Sequence, residues 1–441
     1  MKQYVVINQK INPFKKNINV SGDKSISIRS ILLASQAIGK SKIYNLLESE
    51  DVSTTLETIN KLGVKFKKFK SYYEIYGLGL NGFNIKKNLT INAGNSGTLA
   101  RLILGLLVNT NNVVKIVGDK SLSSRDFSRI TEPLKLFGAN IHSKNKKLPV
   151  KIHGSEFLRP IKYFENLGSA QCKSAVMLAA LKTHGITKIK AKKSRNHTEL
   201  FFKHLKIPIK ILNKKNYDLI EVTGLSNFNA FEYKVPGDIS SCAFFIVLTL
   251  ISRKSNLVIK NVNINDTRIG VVTILNRMGG NIIFKNKKIY KGELIGDIYV
   301  KSQSKLYGIK CPVNLNSSAI DEFLIIFIAA AKAKGISHFK NLSELNKKES
   351  PRLNIAIKIL LNLGVKVIRK NDDIKIYGNP SLNLSGNYKI KNFCKDHRVF
   401  MMSCIAALTL GGRWKIYDKN SVNTSFPDFF KILKKLGAKI N

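Results

Sequence analysis

The 441 residues are too many for one ordinary hydrophobic core and enough for two or three domains, and 44% hydrophobic with 9% aromatic content excludes a disordered chain. Lysine plus arginine number 74 against 28 acids, a formal charge of +46, but the excess is almost wholly lysine, 61 against 13 arginines. The lysines are scattered among abundant Asn and Ile, so runs such as Lys65-Phe66-Lys67-Lys68 read as solvated surface, and no specific nucleic-acid partner is expected.

No apolar run approaches the roughly 20 residues that span a bilayer, and Met1-Lys2-Gln3-Tyr4 has no signal core. Five cysteines without a C-x-x-C pair fit free thiols in a reducing compartment. A cytoplasmic monomer with no membrane partner is the expectation.

Along the chain one pattern recurs about every 70 to 80 residues: a polar turn, then an apolar helix rich in Ala and Leu. The first three copies open at Asp23-Lys24-Ser25, Asn95-Ser96-Gly97-Thr98 and Ser169-Ala170-Gln171. The other three open at Gly237-Asp238-Ile239-Ser240, Ile320-Asp321-Glu322 and Lys395-Asp396-His397-Arg398. Each is followed by a strand and a second, amphipathic helix. Five of those second helices end on Gly (Gly63, Gly138, Gly279, Gly364, Gly437), which takes the left-handed conformation past a helix end cheaply. The third copy reads His204-Leu205-Lys206-Ile207-Pro208 instead.

Helices apolar nearly all round must be buried. The expected class is therefore α/β, with two lobes of three repeated α/β units each, helices inside and sheets outside, an inside-out barrel. The echo of Val20-Ser21-Gly22-Asp23-Lys24-Ser25 in Val235-Pro236-Gly237-Asp238-Ile239-Ser240 marks the start of each lobe. It gives an N-terminal lobe of residues 21–236 and a C-terminal lobe of 1–20 plus 237–441.

The polar turns all precede helices, whose N-termini favour anions. Six of the 13 arginines (Arg29, Arg101, Arg125, Arg195, Arg352, Arg398) lie in or just after such turns. Guanidinium grips phosphate and carboxylate bidentately where lysine does not, so the set points to substrates with several negative charges. Asp321 reads either as an N-cap or as a functional acid. Lys348-Glu349-Ser350-Pro351-Arg352 puts an acid, a base and an anion clamp on the expected first turn of a helix, a combination suited to proton transfer. Asp396-His397-Arg398 reads as a titratable cluster or as a capped helix start with an exposed histidine. No residues stand at metal-ligand spacing, and no cofactor is expected.

In this order the motifs resemble the 5-enolpyruvylshikimate-3-phosphate synthase family of enolpyruvyl transferases. The carrying stretches are Ser21 to Arg29, Gly94 to Arg101, Gly118-Asp119-Lys120-Ser121-Leu122 to Arg125, Gly168 to Gln171, Ile320 to Glu322, Lys348 to Arg352 and Asp396 to Arg398. The resemblance implies cofactor-free transfer of the enolpyruvyl group of phosphoenolpyruvate to the 5-hydroxyl of shikimate 3-phosphate, after that substrate has favoured lobe closure. It implies Asp321, Glu349 and Lys24 as catalytic residues. Lys24, Ser25, Arg29, Ser169, Ala170, Gln171, Arg195, Asp321 and Lys348 would hold shikimate 3-phosphate; Lys24, Gly97, Arg125, Gln171, Arg352 and Arg398 would hold phosphoenolpyruvate.

The sequence departs from the usual pattern at Asp126, Ala170, Pro351 and Ser425, the last standing where some members place a lysine for phosphoenolpyruvate. Two other readings compete. The sister enzyme acting on a UDP-sugar usually carries a cysteine in the loop matching Ser121 to Arg125, where this chain has none. Against a polyanion-binding module, the sequence lacks an aromatic-interleaved basic groove or a helix-turn-helix signature.

Overall fold

The computed structural model describes residues 3–441, which divide into two compact units. One comprises Gly22–Val235 with Tyr290–Glu293; the other comprises the chain up to Ser21, Pro236–Ile289 and Leu294–Asn441. Each has its own hydrophobic core.

In the Gly22–Val235 unit three helices, Lys24–Gln36, Gly97–Leu106 and Ala170–Leu181, are buried over almost their whole lengths. Three four-stranded sheets share one topology. The first runs Glu232–Lys234, Ile38–Tyr44, Tyr72–Leu78, Phe66–Lys68. The second runs Leu89–Asn92, Val114–Val117, Val150–His153, Asn140–Ser143, and the third Lys162–Glu165, Ile186–Lys192, Tyr217–Thr223, Ile209–Asn213. In every one the first two strands are parallel and the others antiparallel. The strands alternate as one-sided sheets must: Thr187, Ile189 and Ala191 face the core while Lys188, Lys190 and Lys192 face water.

The other unit buries helices Ile239–Ile251, Phe323–Ala331 and His397–Leu410. Two of its sheets are completed by the start of the chain. Lys15–Asn19 runs parallel to Asn256–Asn263, and Tyr4–Ile7 pairs antiparallel with Gly411–Tyr417. Val6 and Asn441 exchange backbone hydrogen bonds of 2.8 and 3.1 Å on the far side of that strand. The Gly335–Phe339 sheet has only three strands, and the incoming stretch makes two isolated parallel bridges, Tyr307 to Lys334 and Lys310 to His338. Pro312 has no N–H to offer just beyond that stretch.

The glycines that close the second helices all have positive φ, from 73° at Gly364 to 113° at Gly138. In the third copy Lys206 takes the same conformation, at φ 57°. The turn is thus kept at a position where a side chain makes it unfavourable. No single helix among the described residues is long and apolar enough to cross a membrane. All five cysteines are free, four of them buried.

Candidate functional site

Five of the six polar turns cap their helices through side chains. Asp23 accepts from Ile26 N, Ser96 from Leu99 N, Ser169 from Cys172 N, Asp238 from Ser240 N and Asp396 from Arg398 N. Asp321 does not. Its helix begins only at Phe323, with Glu322 in the cap position and no side-chain cap bond, so the capping reading of Asp321 fails.

In the Gly22–Val235 unit two arginines crowd the Gly97 turn. Asp119 N donates to Gly94 O at 2.8 Å, and Asn95 Nδ2 donates to Asp119 Oδ2 at 2.6 Å. Those bonds tie the Gly94 turn to the short Lys120–Ser123 helix that leads to Arg125. As a result two guanidinium groups converge on one glycine: a Cβ at Gly97 would stand 2.7 Å from Arg101 Nη1 and 2.9 Å from Arg125 Nη1. The N–H groups of the first turn of a helix have no intrahelical partner, and here they meet two cations. Like charges held this close call for an anion.

Arg101 also donates to Gln171 Oε1 at 2.8 Å, and Gln171 Nε2 donates to Thr98 Oγ1 at 3.0 Å. Gln171 is therefore oriented from the Gly97 turn. Glu165, buried, accepts from Leu167 N and Gly168 N and so fixes the Ser169–Ala170–Gln171 turn, where all three residues are half-buried. Lys24 Nζ donates to Asp51 Oδ2 at 2.9 Å, beside half-buried Ser25. Arg195 lies half-buried in the loop before the His197–His204 helix.

Arg29, which the resemblance assigns to shikimate 3-phosphate, is mostly buried. It is 5% exposed and its guanidinium donates to Thr198 Oγ1, Ser174 Oγ and Ser25 O at 2.9, 3.0 and 3.0 Å. It clamps three segments of the unit together, meeting buried Ser174 and Thr198 and half-buried Ser25.

In the other unit the acids gather on Arg352, which is 1% exposed. Its Nε donates to Asp396 Oδ2 at 2.9 Å, its Nη1 meets Asp321 Oδ1 at 3.4 Å, and its Nη2 pairs with Glu349 Oε2. Burial alone would push this guanidinium down; the carboxylates of Asp396, Glu349 and Asp321 reverse that and hold its pKa raised. Burial likewise pushes the Asp396 carboxyl up, yet Arg352 beside it keeps it below the usual carboxylate range. Ser350 Oγ adds a bond to Asp396 at 2.8 Å. Arg352, which the resemblance assigns to phosphoenolpyruvate, is also the hub on which Asp321, Glu349 and Asp396 meet.

Lys348 Nζ lies 3.4 Å from Asp321, and Arg398 Nη1 donates to the Asp321 carbonyl at 2.9 Å. Lys348 to Ser350 precede the helix rather than forming its first turn, since the helix runs Arg352–Asn362 behind Pro351. A proline disfavours helical backbone at the residue before it, which accounts for the shift. Asp238 pairs with buried Arg268 at 3.0 Å, and Ser240 Oγ donates to buried Glu322, a structural network behind Arg398. His397 is 3% exposed, against the exposed histidine of the bland reading, and its Nδ1 lies 3.3 Å from Thr424 Oγ1. Ser425 is buried next to it in sequence. Asp51, Thr98 and Arg268 are the partners that sequence reasoning leaves without a role.

Among the described residues no group of three or more His, Cys, Asp or Glu is arranged to hold a metal ion. The arrangement offers anion clamps on one unit and a cation-bound carboxylate pair, suited to proton transfer, on the other.

Residues 8–433 match the family model for EPSP synthase (3-phosphoshikimate 1-carboxyvinyltransferase). The chain belongs to the EPSP synthase family. A 3-phosphoshikimate 1-carboxyvinyltransferase of Ruthia magnifica subsp. Calyptogena magnifica is 41% identical over 447 residues, covering 100% of this chain and 99% of the relative. Another, from Zymomonas mobilis, is 36% identical over 98% of this chain and 96% of its own. An EPSP synthase structure from Acinetobacter baumannii superposes with a TM-score of 0.87 at 34% identity, covering 100% of this chain and 99% of that one. The enolpyruvyl transferase NikO of Streptomyces tendae shares the fold, with a TM-score of 0.78 at 15% identity.

Proposed function

We propose that this member of the EPSP synthase family transfers the enolpyruvyl group of phosphoenolpyruvate to the 5-hydroxyl of shikimate 3-phosphate. Phosphate is released, and the product feeds the shikimate pathway to chorismate and aromatic amino acids. The observation that carries the reading is the Arg352 hub: Asp321 and Glu349 are held on one guanidinium, with Lys348 3.4 Å from Asp321. Carboxylates fixed at this spacing from one guanidinium are held in a set orientation, as groups that exchange protons with a bound substrate must be.

In this scheme the substrate oxygen forms a bond to C2 of phosphoenolpyruvate while its proton passes to Asp321 and C3 gains a proton. Glu349 and Lys24 carry the proton at C3. The tetrahedral adduct then loses a proton from C3 as the C2–O bond to phosphate breaks. Arg101, Arg125 and the helix N-terminus at Gly97 take the charge of phosphoenolpyruvate, and of phosphate as it departs. Arg398 serves the same substrate, with Arg352 acting through the carboxylates it positions. Lys24, Ser25, Ser169, Ala170, Gln171, Arg195, Asp321 and Lys348 hold shikimate 3-phosphate, with Arg29 bracing Ser25 from behind.

The free thiols fit a reducing compartment such as the cytoplasm. The test is phosphate release from phosphoenolpyruvate. It should require shikimate 3-phosphate; release with a UDP-sugar and none with shikimate 3-phosphate would overturn the assignment.

A further inference from the structure

The sheet built from Lys15–Asn19, Asn256–Asn263, Glu293–Lys301 and Asn281–Tyr290 takes no part in the proposed reaction. Its pleat buries Ile18, Leu257, Ile259, Ile298 and Val300 and turns the alternate residues outward. On that outward face lies an open recess of about 600 Å³. Strand register sets its lining in two rows. Lys15, Asn256 and Lys301 lie side by side across three strands, and Asn17, Val258 and Tyr299 form the next row.

The charge here exceeds what a lysine-rich composition brings. Residues 8–20, 252–265 and 276–309, which form the sheet and its turns, hold thirteen lysines and arginines and two carboxylates, Asp297 and a Glu293 that is buried against His197, against 74 and 28 in the whole chain. Asp297 is already engaged, by Lys260 Nζ and Asn286 Nδ2 at 2.8 Å each and by Asn261 N at 2.9 Å. Ser255 and Ser302 exchange bonds of 2.9 and 3.0 Å, and Ser255 Oγ accepts from Phe14 N at 3.1 Å. They hold the exposed Arg253–Lys254 turn at the Lys15 and Lys301 end of the face. Tyr299, half-exposed, has Lys285 Nζ 4.9 Å and Lys260 Nζ 5.7 Å from its ring centre.

Cations without competing acids select a polyanion. The aromatic ring and the amides select its type, because a flat base stacks on tyrosine and an amide both donates and accepts at a base edge. An acidic peptide would use only the cations. An open recess suits a polymer laid across strands better than a small molecule, which needs enclosure.

We propose that this face binds single-stranded nucleic acid with little sequence preference, its phosphates on Lys15, Lys301 and the Arg253–Lys254 turn and one base on Tyr299. The inference stands apart from the catalytic reading.

Fluorescence anisotropy of a labelled oligouridylate of about 12 nucleotides, within the span of such sites, tests it on the full chain. Three or four phosphate contacts give a log–log salt slope of about −2 to −3. Lys15→Glu with Lys301→Glu should weaken binding at least tenfold, and Tyr299→Ala, which leaves charge unchanged, about tenfold. The reference pair Lys162→Glu with Lys192→Glu, on an outward face of the other unit, should change it less than threefold. Phosphate release should be unaltered in every variant, which shows that each is folded. No binding, equal loss in the reference pair, or wild-type affinity in Tyr299→Ala would each overturn the proposal. So would a polyglutamate of equal charge that binds as tightly, since it would assign the face to acidic peptides.

Discussion

A methyl group at Gly97 tests the anion site at its narrowest point. The backbone there is already helical, and alanine is the better helix former by roughly 0.5–1 kcal/mol, so Gly97→Ala should fold at least as well as the parent. The strain falls on the arginines. Nη1 atoms at 2.7 Å (Arg101) and 2.9 Å (Arg125) from the new carbon must each retreat. Comfortable separation is about 3.5–4.0 Å, so each moves by roughly 1 Å. That movement also stretches the 2.8 Å bond from Arg101 to Gln171. Losing one charge-assisted hydrogen bond costs about 1.5–3 kcal/mol, or roughly ten- to a hundredfold in affinity. The KM for phosphoenolpyruvate, measured by phosphate release at saturating shikimate 3-phosphate, should rise by that factor. Binding of shikimate 3-phosphate alone, followed by calorimetry, should weaken several-fold less, because it shares only the stretched Gln171 contact. An equal loss for both substrates, or an unchanged KM, would refute the idea that Arg101 and Arg125 meet over Gly97 to hold phosphoenolpyruvate.

Other outcomes follow from the same geometry. Asp321→Asn should lower kcat far more than it weakens shikimate 3-phosphate binding; equal losses would make Asp321 a binding residue only. Asp396→Asn removes the main counter-charge of a guanidinium that is 1% exposed and should destabilise the fold by about 3–5 kcal/mol in urea titrations. Because the folded pKa of Asp396 is depressed, its contribution is present above the unfolded carboxyl pKa and lost as pH falls through the folded value. The parent should therefore lose its advantage over Asp396→Asn in acid, and a constant gap across pH would contradict the pairing. Burial pushes the Lys182 amine down to about 7, so protonating it favours the unfolded chain. Stability should rise between pH 7 and 10, and Lys182→Met should flatten that rise; an identical slope would place the charge in water. Glyphosate should inhibit in competition with phosphoenolpyruvate. Insensitivity at high concentration would point to Ser425 as the residue that reshapes the pocket.

What was legible in the sequence is what chain neighbours decide. Caps at Asp23, Ser96, Ser169, Asp238 and Asp396 bond two or three residues ahead, so polar turns before apolar helices reveal them. The buried helices announce themselves by being apolar all round. Depth and distant partners leave no such mark. Arg352 and Arg398 sit in similar polar turns, yet one is sealed among three carboxylates and the other keeps a 10% exposed side chain. Nothing near Lys24 announces that Asp51 will hold it, and Thr198 meets Arg29 from 169 positions away. Pro351 shows how a local rule misleads when applied to the wrong residue. Proline is tolerated at a helix start, but its effect on Ser350 delays the helix to Arg352.

The strands Tyr4–Ile7 and Lys15–Asn19 set an order on biosynthesis. They leave the ribosome well before their partners, which begin at Asn256 and Gly411. At about 5–20 residues per second, Tyr4–Ile7 waits roughly 20–80 s for Gly411–Tyr417. Meanwhile the contiguous Gly22–Val235 segment has all its strands in hand and can condense first. The two early strands carry Val5, Ile7 and Ile18, which end up buried, and open edges prone to mispairing. Lys15 and Lys16 on the second strand are gatekeepers of the kind that keep such a segment soluble until its sheet arrives.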